Sequence, residues 1–350
     1  VTLTTAALEF ELPAALEARE PAEVRGHGRD DVRLLVSRGS AQPVHASFRD
    51  LPGLLDAGDQ LVINTSGTLP AALAGRIGHR RVDVHLSGRL PSGDWLAELR
   101  RPAWPASLPD PSGAEGDQVR LVAGGSGRLV ARWRTSPRLW VMAFDLPGGA
   151  IAFVRAHGRP IRYGHVPNDW PLATYQTVYA TEPGSAEMPS AGRAFTADII
   201  TTLVARGISV SPLVLHAGVS SAEVGEPPPP EWYRVPADTA RRVNETRVAG
   251  GRVVAVGTTV VRALETLVDA DGLVHEGEGW TDKVVTPDRP VRAVDGLLTG
   301  WHEPRASHLL ILQAIADPFA LESAYRAALE HGYLWHELGD LHLILPGPAS

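Results

Sequence analysis

The period of the apolar residues changes twice along this 350-residue chain, and that change constrains the fold more than any single motif. From Gly75 to Asp145 short runs alternate apolar and polar positions: Arg81-Val-Asp-Val-His-Leu, Trp95-Leu-Ala-Glu-Leu, Gln118-Val-Arg-Leu-Val and Leu129-Val-Ala-Arg-Trp. Gly, Pro and Ser clusters separate them. Period-two alternation with frequent turns predicts a small antiparallel barrel or sandwich, with no long helix between Gly75 and Phe144. Outside this segment the texture is α/β. Strands are expected at Val32–Val36, Gln60–Asn64, Ile208–His216, Arg252–Val256 and Leu341–Leu345. Helices are expected at Glu11–Arg25, Phe195–Arg206 (Thr196 as N-cap), Thr239–Ala249, Val260–Val268, Ala306–Ile315 and Pro318–His331. Strands alternating with helices imply a mainly parallel sheet with flanking helices. The expected architecture is one discontinuous α/β domain, 1–74 and 150–350, carrying an inserted antiparallel β-barrel domain, 75–149.

Composition narrows the function. There is no cysteine, which excludes disulfides, thiolate metal sites and a cysteine nucleophile. No run of about 18 apolar residues occurs, so no membrane span is expected. Val1–Phe10 lacks a cationic start and carries Glu9, unlike a signal peptide, and the expected location is cytoplasmic. The formal charge of −7 argues against a polyanionic partner, but its distribution does not. Between Arg76 and Arg138 eleven arginines face six acids, so this segment is +5 and the remainder −12. A basic module on an acidic body is an electrostatic footprint for polyanions, tRNA among them. The plainer reading is a compositional bias toward arginine, because Lys283 is the only lysine.

Several segments can carry chemistry. Strand Arg252–Val256 runs into Gly257-Thr258-Thr259 and a helix, a turn whose free N–H groups suit an anion or a carboxylate. Arg262, one turn inside that helix, can add a bidentate contact. An ordinary N-cap with a surface arginine is the alternative. Pro189-Ser190-Ala191-Gly192 is a loop of small residues that lets backbone approach a ligand, or simply connects two elements. His216 ends a strand and His302 follows the apolar run Val294–Leu298. Each is a candidate for proton transfer or a satisfied structural residue. The histidines show no His-Glu-x-x-His spacing, no Gly-x-Ser-x-Gly elbow occurs, and no metal site is expected.

In colinear order, further segments look like motifs of one family: Phe10-Glu-Leu-Pro, Glu20-Pro-Ala-Glu-Val-Arg, Gly58-Asp-Gln-Leu-Val-Ile-Asn64, Tyr163-Gly-His-Val-Pro167, Tyr175-Gln-Thr-Val-Tyr179, Pro189–Gly192, Gly251–Arg262, Gly279-Trp-Thr-Asp282, Val294–Leu298 and His302-Glu-Pro-Arg305. Together they resemble the S-adenosylmethionine:tRNA ribosyltransferase-isomerase family of queuosine biosynthesis, over nearly the whole chain. The resemblance implies the same architecture. It also implies transfer of the ribosyl part of S-adenosylmethionine to a 7-aminomethyl-7-deazaguanine base in tRNA, giving epoxyqueuosine with release of adenine and methionine. No cofactor beyond S-adenosylmethionine as substrate is implied. The candidate catalytic residues are His216, His302 and Thr258. The candidate substrate-binding residues are Tyr175, Gln176, Pro189, Ser190, Ala191, Gly192, Gly257, Thr259, Arg262 and Arg305. They are expected to converge on one cleft at the carboxyl edge of the sheet, with Arg262 on the methionine carboxylate.

The departures cluster where function is expected. Gly67 and Ala72 stand where the family usually has arginines. Pro189-Ser-Ala-Gly-Arg193-Ala194-Phe195 lacks the family's histidine, and Pro227–Pro230 replaces a Met-His-Ser-Glu stretch. Two other functions therefore stay open: a paralogue that uses S-adenosylmethionine or a related nucleoside on a small acceptor, and a binding protein that has lost catalysis.

Overall fold

The computed structural model describes residues 8–26, 28–219, 228–304 and 306–347. Its larger sheet has nine strands, in the spatial order Gly277–Thr281, Glu231–Val235, Ser209–Leu215, Gln60–Asn64, Val253–Val256, Gly296–Gly300, Leu341–Leu345, Arg33–Arg38 and Val44–Ser47. The four strands from Ser209–Leu215 to Gly296–Gly300 are mutually parallel. Leu341–Leu345 runs against Gly296–Gly300 and parallel to Arg33–Arg38, and the strands at both margins pair antiparallel. The sheet is therefore parallel at its centre and mixed at its edges.

The continuous apolar runs read from the sequence follow from burial on both faces. Val62, Val253, Ala255 and Leu297 enter one core with Val243, Val260, Leu264 and Tyr325. Their neighbours Leu61, Ile63, Val254 and Leu298 enter a second core with Phe48, Phe195 and Leu203. Helices Ala237–Val248 and Thr258–Leu267 cover the first face, and Ala197–Ala205 covers the second. Thr196 caps the last of these by accepting from Ile199 N, as its position predicts. The expected helix over Glu11–Arg25 is not formed. Two single 3₁₀ turns, Ala14–Leu16 and Ala22–Arg25, stand there instead. Pro21 lies between them; it lacks an N–H and drives the residue before it out of helical geometry.

Strands Ala72–Ile77, Arg80–Arg89, Trp95–Arg101, Gln118–Leu121, Ser126–Arg132 and Leu139–Asp145 close an antiparallel barrel, the last pairing back onto Trp95–Arg101. The alternation anticipates its filling: Leu73, Val82, Val84, Leu99, Val119, Leu129, Trp140 and Met142 point inward. Among the described residues of this span the only helical turn is Val122–Gly124. A short parallel ladder, Ser66–Thr68 with Glu182–Ser185, joins barrel and sheet. It rests on Gln176, whose side-chain amide accepts from Thr68 N at 2.9 Å and donates to Thr68 O at 2.8 Å. No helix among the described residues is long and apolar enough to cross a membrane.

Candidate active site

The parallel strands deliver Asn64, His216, Gly257 and Trp301 to one edge, where open α/β sheets bind ligands. Between this edge and the barrel lies a cleft of about 730 Å³. His216, Trp232, Trp280, Glu182 and Gly184 line it from the sheet side, and Arg89 and Phe144 from the barrel. Trp232 and Trp280 are direct cross-strand partners on neighbouring edge strands. Trp280 donates its indole N–H to Arg89 O at 2.8 Å, which ties the sheet margin to the barrel. The His216 ring stacks on Trp232 with centroids 5.1 Å apart. Opposite it stands Gly184, where an added Cβ would come within 2.4 Å of the imidazole. Only glycine leaves room for that ring.

His216 ends a hydroxyl chain. Its Nδ1 lies 2.8 Å from Ser66 Oγ, which lies 2.6 Å from Ser185 Oγ, which accepts from Ala217 N at 3.0 Å. Both serines are buried. One polarity satisfies every hydroxyl donor: Ser185 donates to Ser66, Ser66 donates to Nδ1, and the ring proton sits on Nε2. Burial holds the imidazole below its ordinary pKa, so it is neutral near pH 7. The arrangement presents a neutral imidazole to the cleft, its ring held in place by the buried serine pair.

The other residues singled out in the sequence are divided between this cleft and the structure behind it. Asn64 links the two: it donates to Thr259 Oγ1 at 3.2 Å and to Leu215 O at 2.8 Å, and accepts from Ser66 N at 3.0 Å. Ala191 packs 3.5 Å from where a Cβ on Gly257 would stand, so the small-residue loop and the Gly257-Thr258-Thr259 turn do meet. Thr258 is buried as the first residue of its helix. Ser190 and Ala194 instead line a smaller depression with Gly300, Arg193 and His336, whose ring stacks on His165 at 4.0 Å. Gly192 is small for a structural reason, since a Cβ there would strike the buried Tyr179 hydroxyl. Tyr175 is buried, its hydroxyl pushed up to about 12 by burial, and Gln176 is occupied by Thr68. Arg305 lies outside the described residues.

Two expectations are corrected, those for Arg262 and His302. Arg262 is not free to bind an anion. It is buried, ion-paired to Glu231, and donates to Lys283 O at 3.1 Å. Glu231 in turn accepts from Gly218 N at 2.8 Å, so this pair holds the segment that follows His216. His302 lines neither depression. It bonds Thr299 Oγ1 at 2.9 Å and stacks on His308 at 4.7 Å, and burial drives it well below its ordinary pKa. It follows a strand three inter-strand steps from that of His216, about 14 Å away across the sheet, so the two do not share one reacting atom. Arg193 turns toward the N-terminal segment and holds Glu23 through bonds of 2.9 and 3.0 Å. The two tryptophans, Glu182 and the serine pair were missed as site residues. Gly279-Trp-Thr-Asp282 and the Glu182-Pro-Gly-Ser stretch were visible motifs, but their meeting across the barrel was not.

Residues 5–344 match the model of the family described as "Queuosine biosynthesis protein". An S-adenosylmethionine:tRNA ribosyltransferase-isomerase of Symbiobacterium thermophilum is 36% identical over 96% of this chain and 98% of its own. The protein of the same name from Gloeobacter violaceus is 34% identical over 99% and 97%. The crystal structure of an S-adenosylmethionine tRNA ribosyltransferase from Thermotoga maritima superposes with a TM-score of 0.52, at 28% identity over 96% of this chain and 99% of that one.

Proposed function

Since the chain belongs to the queuosine biosynthesis family of S-adenosylmethionine:tRNA ribosyltransferase-isomerases and is an enzyme of that class, we propose that it moves the ribosyl part of S-adenosylmethionine onto the aminomethyl nitrogen of a 7-aminomethyl-7-deazaguanine base in tRNA. The product is epoxyqueuosine; adenine and methionine leave. S-adenosylmethionine enters as substrate, and the reaction calls for no separate cofactor. The observation that carries this reading is the cleft with His216 at its wall. The paired indoles offer faces to a purine and to a sulfonium cation. With its proton on Nε2, His216 donates a hydrogen bond to the departing adenine. In the other tautomer, with Nδ1–H donating to Ser66 Oγ and one serine hydroxyl left without an acceptor, Nε2 accepts instead, and the ring can take a proton from the carbon next to the sulfonium, which the positive sulfur acidifies.

The test is incubation with S-adenosylmethionine, with and without tRNA bearing the 7-aminomethyl-7-deazaguanine base, following free adenine. Adenine release that depends on the modified tRNA supports the reading. A second reading, a small-molecule acceptor, is favoured by Gly67 and Ala72. Gly67 packs on Pro183 at the cleft wall and Ala72 is buried in a barrel strand, so neither supplies the cationic contact of the family pattern. Release driven by the free base or another amine, and not by tRNA, supports that alternative. No release under any of these conditions rules out both and leaves a non-catalytic binding protein.

A further inference from the structure

We propose that the outer wall of the barrel binds the phosphodiester backbone of RNA along a stripe of four arginines, Arg81, Arg76, Arg120 and Arg128, that leads to the cleft; this rests on the tRNA reading above. The eleven arginines of the segment do not form one patch. Arg80 pairs with Asp110, and Arg100 and Arg138 pair with Glu98. The four of the stripe are different. Each is exposed, and none forms an ion pair among the described residues. Strand alternation turns them outward, because their neighbours Val82, Val119 and Leu129 fill the barrel.

The strand register then lines them up. Arg76 lies directly across from Arg81 on one side and from Arg120 on the other. Arg120 faces Ser126, which faces Asp145, and Arg128 faces Ala143. Ala143 and Asp145 line the cleft. From Arg81 to Asp145 is four strand spacings, about 19 Å along the wall. Like charges directly opposite one another on a sheet repel and disfavour the pairing. Here three stand in one row. The other two acids on the barrel's strands are already ion-paired, Asp83 to Arg159 at 3.0 Å and Glu98 to two arginines. Asp145 is the one carboxylate in the row, at its cleft end. An unpaired cationic row that starts at a nucleoside-sized cleft suits a polyanion whose one residue enters that cleft. A phosphodiester chain supplies both features, because its charges repeat regularly while its bases can be extruded.

The experiment measures binding of unmodified tRNA to the full chain between 50 and 200 mM salt. The variant R76Q/R81Q/R120Q is expected to weaken binding at least tenfold at low salt. It is also expected to flatten the log–log salt dependence by about three units, one per lost phosphate contact. R206Q/R289Q, exposed arginines away from the barrel, should change neither. R128Q alone should flatten the slope by about one unit, and it serves if the triple variant does not fold. Triple and single variants with unaltered affinity and slope overturn the stripe, while tRNA-dependent adenine release in the same preparations would keep the reaction. A chain that binds no tRNA at all overturns both. Poly-glutamate displacing tRNA at equal charge overturns RNA as the occupant.

Discussion

At the residue scale the chemistry rests on His216 and the structure behind it on Arg262. If His216 handles protons, His216→Ala lowers the rate of adenine release by 10²–10⁴-fold, the usual range for a lost acid–base group, with a thermal midpoint close to that of the parent. Ser66→Ala keeps the imidazole but removes the partner of its Nδ1, so a smaller loss is expected. Equal rates in both variants and the parent would remove His216 from the mechanism. Arg262 makes a different prediction. Arg262→Ala strands the buried Glu231 carboxylate, at a cost of about 3–5 kcal/mol in unfolding free energy measured by urea. Arg262→Ala with Glu231→Gln should recover part of that loss. A single variant as stable as the parent, with weakened substrate binding, would return Arg262 to the anion-binding role its sequence position suggested.

At the scale of elements, the informative unit is the edge pair Glu231–Val235 and Gly277–Thr281. Its two tryptophans face each other across the ladder at the cleft. Trp280 is 39% exposed, enough surface for a bound ring to cover. Trp280→Ala should weaken S-adenosylmethionine binding about tenfold by calorimetry, the scale of one lost aromatic stack, and leave the far-ultraviolet dichroism unchanged. The loop Pro189–Gly192 predicts a change in stability rather than in binding. Gly192→Ala drives a methyl into Tyr179 and should destabilise by about 1–3 kcal/mol, the range for overpacking. Lower affinity at full stability would restore the loop as a ligand contact.

At the scale of the whole molecule, buried histidines couple stability to pH. Burial holds His85 and His342 near 3, far below an exposed imidazole. In each case the unfolded chain takes up a proton that the folded chain refuses. Their contribution is complete above pH 6.5 and is lost as pH falls toward these values, at up to about 1.4 kcal/mol per pH unit for each ring. The urea midpoint should therefore drop between pH 6.5 and 4.5. Asp59 acts lower. Burial works to raise its carboxyl, but hydrogen bonds from Arg252 and from backbone N–H groups outweigh it, and the net shift is downward. Its contribution fades only as pH falls below the ordinary carboxylate range. His342→Leu should flatten the upper part of the profile and Asp59→Asn the lower part; a midpoint flat from pH 6.5 to 4.5 would contradict the burial of these rings.

The sequence by itself determined the periodicities, and with them the barrel, the central parallel strands and most helices. Apolar residues two apart or three to four apart commit a segment locally, whatever surrounds it. It also carried the family, since colinear motifs need no coordinates. It marked His216 and the Gly257 turn as strand-end features, because a strand followed by small residues ends in a predictable place. Tertiary structure decided which of these share a space. His216 and His302 look equivalent in sequence, yet sheet order sets them three strands apart, and order is fixed by pairings between distant segments. Arg262 looks like an anion ligand until Glu231, 31 residues away, occupies it. Tertiary structure also brought Ser66 and Ser185, separated by 119 positions, into one hydroxyl chain. It set Arg81, Arg76 and Arg120 in one row, because register between strands, unlike alternation along a strand, is a long-range property.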